Sequence, residues 1–301
     1  MSARIIIPLT MTDSNLIEGG TTIPEDDAPA WDVGTEYAEN DTVIRNHVIY
    51  ISLIAANTGN DPATDDGTNW FKGLATNRWK AFDGYLQDAA VQADSMAWQI
   101  ETADLINGVA LLALEAATVR VVLDSHDDGV VYDQSFEMAD ESHITDYDLW
   151  FFAPQIRATD FAVTDLPPYP GTLTVTLADA GNTVKLGQLS LGSEIDLGIT
   201  LNGFDQDLEI FSDKGPDQFG RVSAVKRASS DILEPRVKIL TARVPYLRSI
   251  LKKREALPTV YLFDGPTRDN EYIAFGDFER LRTNTAYGLY SDMTITIREF
   301  V

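Results

Sequence analysis

Apolar and polar positions alternate with a period of two along much of this chain, and the alternating runs are short and bounded by Asp, Gly or Pro. Residues 96–102, 106–114, 118–123, 130–136, 147–152 and 172–177 each hold β-branched or aromatic residues and are predicted strands. The run 106–114 also contains good helix formers. Gly108 and the polar break at Asp104 leave little room for a capped helix, so it is assigned as a strand. Earlier in the chain, residues 42–45 and 47–53 read as two short strands around a tight turn at Asn46-His47. Later, residues 236–240, 259–263 and 272–278 read as strands. The last strand, 293–300, sets Met293, Ile295 and Ile297 against Thr294, Thr296 and Arg298. One helix interrupts the β pattern: Val244, Leu247 and Leu251 form a stripe at i, i+3, i+7, Pro245 suits the first turn, and Thr241 is the expected cap.

The opening run Ile5-Ile6-Ile7 predicts a strand with no partner in its own neighbourhood, so it must pair with a later domain or another subunit. These elements divide the chain into four parts. Residues 1–26 form an N-terminal strand and linker, and 27–75 a small three-stranded module. Residues 76–195 form a central β-sandwich, and 196–301 a C-terminal β-rich domain with one helix. The fold class is α+β, β-dominant.

Composition narrows the function classes. At 44% hydrophobic and 10% aromatic, the chain can bury real cores. The lack of cysteine excludes disulfide staples, thiolate metal sites and cysteine nucleophiles together. The apolar run before Pro8 is only three residues, Ile5-Ile6-Ile7, short of a signal peptide's core, and the apolar stretch 106–123 is broken by Asn107, Glu115 and Arg120. A soluble chain that does not insert in a membrane is expected. The net charge of −24 argues against a nucleic-acid partner. Residues 221–257 depart from this balance, with ten Lys and Arg against three acids, so the block is +7 and the remainder −31. That asymmetry fits a docking surface for an acidic partner, another copy of this chain included. It fits an ordinary solvated face equally well.

Chemistry is sparse. His47, His126 and His143 have no metal spacing, and the serines lie in no nucleophile elbow; no phosphate loop or dinucleotide fingerprint is present. Two carboxylates could serve glycoside hydrolysis, but no pair among the 47 acids stands out. The loops 61–67 and 124–129 cluster Asp near Gly and have the ligand type for calcium, without the EF-hand spacing; solvated turns are the expected reading. Neither cofactor, metal nor catalysis is expected. The better candidate is aromatic: Trp31, Tyr37, Tyr50 and Trp70, interleaved with Asn, Asp and Thr, could stack on the flat faces of sugars, or could be the core of a small domain.

The order Trp31, Tyr37, Asp41, Val43, Tyr50, Gly59, Pro62, Trp70 resembles the small chitin-binding modules of chitinases. The resemblance implies carbohydrate binding by these rings, with Tyr37 or Trp70 exposed. The following Asn77-Arg78-Trp79-Lys80-Ala81-Phe82-Asp83 resembles a signature of bacteriophage tail-tip or baseplate (minor tail) proteins. Further likeness lies in 106–114, 186–203, Phe219-Gly220-Arg221, 272–276 and 293–297. Ile210-Phe211-Ser212-Asp213-Lys214 departs from that family's pattern. The resemblance implies a galactose-binding-like sandwich in the centre and a virion structural subunit made in the host cytoplasm. Its partners would be other tail proteins and its own copies, with host-surface glycan as an accessory contact. An Arg78–Asp83 ion pair, with Trp79 and Phe82 packed beside it, is expected to lock the module onto the sandwich. The alternatives are a free carbohydrate-binding protein, or an accessory module of a polysaccharide-degrading system.

Overall fold

A computed structural model describes residues 2–103, 105–140, 144–164, 166–201, 205–216, 220–225, 227, 229–265, 270–284 and 288–300. The expectations for Asp104, His143, the Asn202-Gly203 turn and Phe219 lie outside the described residues. The opening strand β1 (Ala3–Pro8) leads into the module strands β2 (Thr42–Arg45), β3 (Val48–Ser52) and β4 (Trp70–Ala75). The sandwich follows: β5 (Ala90–Thr102), β6 (Gly108–Glu115), β7 (Thr118–Ser125), β8 (Gly129–Glu137), the short helix α1 (Tyr147–Phe152), β9 (Phe161–Val163) and β10 (Gly171–Thr200). The chain continues through β11 (Asp205–Ile210), β12 (Ser229–Glu234), β13 (Arg236–Leu240), α2 (Val244–Lys253), β14 (Thr259–Phe263), β15 (Tyr272–Asn284) and β16 (Tyr290–Glu299). The molecule is α+β with β dominant, as the pattern predicts.

β10 organises the whole. Its first part, Gly171–Ala178, lies between β5 and β7; its middle pairs with β6, and its last part, Gly192–Gly198, pairs with β1. A 30-residue strand is about 100 Å of extended chain, so it must bend and change neighbours. The pairing with β5 shifts register between Ala178 and Thr183, around Gly181 at φ +80°. Because β10 runs unbroken through residues 195 and 196, the sandwich and the C-terminal sheet share a backbone. β1 then lies between β10 and β14, inside a 13-stranded sheet. Its missing partners belong to this same chain.

Three apolar layers explain the strand sequences. Met96, Trp98, Ile100, Val119, Val121, Leu123, Leu173, Val175 and Leu177, at alternate positions, fill the sandwich. Leu197, Val237, Ile239, Leu247, Leu251, Tyr261, Met293, Ile295 and Ile297 fill the C-terminal core. Between them, Ala110 and Leu112 of β6 meet Ile6, Val260, Leu262 and Phe275. The other face of β6 gives Val109 and Leu111 to the sandwich. A strand covered on both faces reads as a continuous apolar run, which is why 106–114 has helical-looking composition.

Three expectations are corrected. Residues 147–152 form the helix α1, because Asp146 caps it by accepting from the Leu149 N–H at 2.9 Å and, among the described residues, no strand pairs with it to reward an extended run. Thr241 does not cap α2. It begins a separate 3-10 turn, Thr241–Arg243, and its hydroxyl donates to the Gly288 carbonyl instead. Residues 9–26 are not a loose linker: Leu16 and Ile23 are buried in the sandwich core, and Ile17 and Thr22 donate to the carbonyls of Gln99 and Ala97 on β5.

Candidate functional site

The module's aromatic residues turn inward. Tyr37, Tyr50 and Trp70 are buried with Val43, and Tyr37 meets Trp70 edge-on at 5.4 Å. Two of the polar ends are satisfied: the Tyr37 hydroxyl accepts from Asp32 N–H at 2.7 Å, and Trp70 Nε1 donates to the Asn60 carbonyl at 2.9 Å. Trp31 is half-buried under the Arg45 guanidinium, 5.0 Å from its ring centre. Arg45 is in turn held by Asp61 at 2.9 Å, and that bond keeps the Asp61 carboxyl below its usual range. Tyr37 and Trp70 are therefore not the exposed rings the resemblance implies. A core this small needs every large ring it has. The exposed aromatic on this module is Phe71, 55% exposed on β4, whose position next to Trp70 on an alternating strand is the signal that would have found it.

Both acidic loops are turns. Asp65 accepts from the backbone N–H groups of Gly67, Asn69 and Trp70. Burial raises its carboxyl, but these bonds and the Asn69 side chain outweigh burial and hold it below its ordinary value. Residues 124–129 close the β7–β8 hairpin, with Ser125 accepting from Asp127 and Asp128. Among the described residues, no group of three His, Cys, Asp or Glu side chains is placed to hold a metal ion.

Asn77–Asp83 forms the joint between module and sandwich. Asn77 exchanges two hydrogen bonds with the Val91 backbone, at 2.8 and 2.9 Å. Arg78 donates to the Ile23 carbonyl at 2.7 Å, and its own carbonyl accepts from Trp98 Nε1. The Trp79 ring stacks on His47 of the module's turn at 4.2 Å and meets Phe82 edge-on at 5.9 Å; Phe82 reaches Trp98 of the core. His47 sits between Asp13 and Glu25, and Glu25 also accepts from Thr76. The Asn46-His47 turn itself is as predicted, with φ +51° and +63°. The expected Arg78–Asp83 pair does not form: Arg78 is spent on Ile23 and faces Glu18 at 3.8 Å, while Asp83 accepts from the Tyr85 N–H.

This joint walls a cleft of about 470 Å³ between the module, residues 8–11 and the C-terminal domain. Trp79, Phe82 and Leu257 supply apolar surface, and His47, Asp83 and Arg254 supply polar groups. Burial pushes the Asp83 carboxyl up to about 6, and the nearby Asp88 adds to the shift. Such a mixed wall suits a ligand with both flat apolar faces and hydroxyls.

No protein-family model and no curated protein matches the chain. Among solved structures, it is similar to a mutant of the lectin binding domain of Lectinolysin complexed with Lewis b, at 14% identity and a TM-score of 0.29, over 39% of this chain and 84% of that one. It is also similar to a Streptococcus pneumoniae fucose binding module, at 10% identity and a TM-score of 0.28, over 39% of this chain and 85% of that one. No ligand or role passes from those proteins to this chain at such similarity.

Proposed function

We propose that this chain is a non-catalytic structural subunit of a bacteriophage tail tip or baseplate. The observation that carries the reading is the joint: within the tail-protein-like segment Asn77–Asp83, Asn77 bonds to Val91, Arg78 to Ile23 and Trp98, Trp79 stacks on His47 of the module, and Phe82 reaches Trp98 of the sandwich core. A segment spent largely on rigid attachment suits a part whose task is to hold position in an assembly. Antibodies against the chain, applied to particles released from lysed cells that make it, should decorate the tail end. Absence of the chain from purified particles refutes the assignment.

Carbohydrate contact is the second reading, and it moves from the module's four aromatics to the cleft. Trp79 and Phe82 are half-buried rings there, with Asp83 and Arg254 as polar groups. A glycan array on the full chain should give saturable binding that Trp79→Ala abolishes and Trp31→Ala leaves intact. Binding that survives Trp79→Ala removes the cleft from consideration.

A further inference from the structure

The strongest exposed apolar feature lies far from the cleft. Residues Ala139–Asp140 pair with Ile156–Arg157 as a short stalk, which Arg157 ties to Asp179 on β10 by an ion pair. At its end α1 exposes Tyr147, Trp150, Phe151 and Phe152, by 75%, 60%, 60% and 85%. Tyr147 and Phe151 touch at 4.9 Å, and no residue of α1 is buried. Soluble surfaces rarely leave four large rings together in water, and such rings are the usual anchors of protein interfaces. The rings sit among Asp140, Asp146 and Asp148, so an anionic membrane surface is a poor partner.

The complementary surface is on the same chain. α2 buries Val244, Leu247 and Leu251 and turns Tyr246, Arg248, Lys252 and Lys253 outward. Arg248, Lys252 and Lys253 form no ion pair among the described residues. Beside the start of α2, where Thr241 bonds to the Gly288 and Leu289 carbonyls, Leu240, Leu289 and Tyr290 are exposed, and Lys238 lies 6.0 Å from the Tyr290 ring. This face is basic and apolar where the tip is acidic and aromatic.

We propose that the α1 tip of one copy docks on the α2 face of a second copy. The two patches are different, so the contact is head-to-tail and each copy keeps one free half, which generates a ring or a filament. Aromatic rings bring about 150–250 Å² each, so four partly exposed ones offer roughly 500 Å² on the tip side. That falls short of the ~800 Å² per partner of a standard interface, so the single contact is weak and closure of a ring strengthens it. Opposite charges make it sensitive to salt. The inference stands apart from the tail assignment, since a chain outside any particle could associate this way.

Sedimentation velocity and native mass spectrometry of the full chain at micromolar concentration test it. The wild type should associate and dissociate as salt is raised. Trp150→Ala/Phe151→Ala/Phe152→Ala, which alters exposed side chains alone, should be monomeric with an unchanged melting temperature. Lys252→Glu/Lys253→Glu should also be monomeric. Mixing the two variants should restore dimers and nothing larger, because one intact tip then meets one intact face. A monomeric wild type, or a tip variant that associates as well as the wild type, overturns the proposal. So does wild type that stays monomeric while its rings hold it to neutral phosphatidylcholine vesicles. If the α2 variant fails to fold, the tip variant decides alone. Particle labelling is unaffected by any of these results, so the two readings fail separately.

Discussion

Trp79 and Asp83 stand four residues apart on one short turn and meet opposite fates. Trp79 links the module to the sandwich through His47 on one side and Phe82 on the other. Truncating a half-buried ring of this kind costs about 2–3 kcal/mol. Trp79→Ala should therefore lower the melting temperature and open the 76–90 segment to limited proteolysis, whereas Phe71→Ala on the exposed face of β4 should change little. Asp83 is held up near 6, so the folded state binds its proton more tightly than the unfolded chain does. Its contribution is complete below the ordinary carboxyl range near 4 and is lost as pH rises through about 6. A carboxyl moved from its ordinary range to about 6 bounds the loss at about 3 kcal/mol. Glu299, raised to about 7 by burial and by Asp231 and Asp160, acts in the same direction. In Asp83→Asn, the slope of unfolding free energy between about pH 4 and 6 should be visibly shallower than in the wild type, with Glu299 and the buried Asp160, also raised, still contributing. Denaturant titrations at several pH values measure this. Neither fate was legible in the sequence. The residue types at 31, 37, 50 and 70 were plain, but which ring faces outward depends on how little else the module has to bury. The partner of Arg78 was settled by Ile23, which is far away in sequence.

Elements were more legible than their surroundings. Most of the predicted strands appear where the pattern put them, with ends moved by up to six residues, because burial of one face imposes its period on the sequence; 172–177, however, is only the first part of the 30-residue β10. α2 was readable from its stripe for the same reason. α1 was not. Tyr, Trp and Phe at 147–152 favour a strand by propensity, but propensity in a β context is mostly packing against neighbours, and no residue of α1 is buried. What remains is local: the Asp146 cap and the Tyr147–Phe151 pair one turn apart. Asp146→Ala, at about 1 kcal/mol for a lost cap, should speed amide exchange across 147–152 without shifting global unfolding. Unchanged exchange there would show that the cap does not hold the helix.

At the scale of the molecule, the expected boundary near 195 falls inside β10, and composition gives no warning, since Ser193-Glu194-Ile195-Asp196 resembles many domain edges. The pairing of β1 is what joins the parts. Its two flanking strands come from residues 192–198 and 260–263, and Ile5 and Ile6 serve two different cores. Contact is close: a Cβ on Gly192 would lie 1.9 Å from the Ile7 carbonyl oxygen. Removing residues 1–8 should leave two sheet edges open at once and give aggregation rather than two stable halves. A soluble, cooperatively unfolding truncation, assayed by light scattering and thermal melts, would show that the halves are independent.

The position of β1 also fixes an order of events during synthesis. The strand is made before either neighbour, and the second neighbour ends at Phe263, so on the ribosome an Ile-Ile-Ile segment waits while most of the chain is added. Contacts this distant in sequence form slowly. The interval in which that segment can be captured by another nascent copy is therefore set by translation speed, and slowing translation downstream of β10 should lower the soluble yield without changing the finished protein.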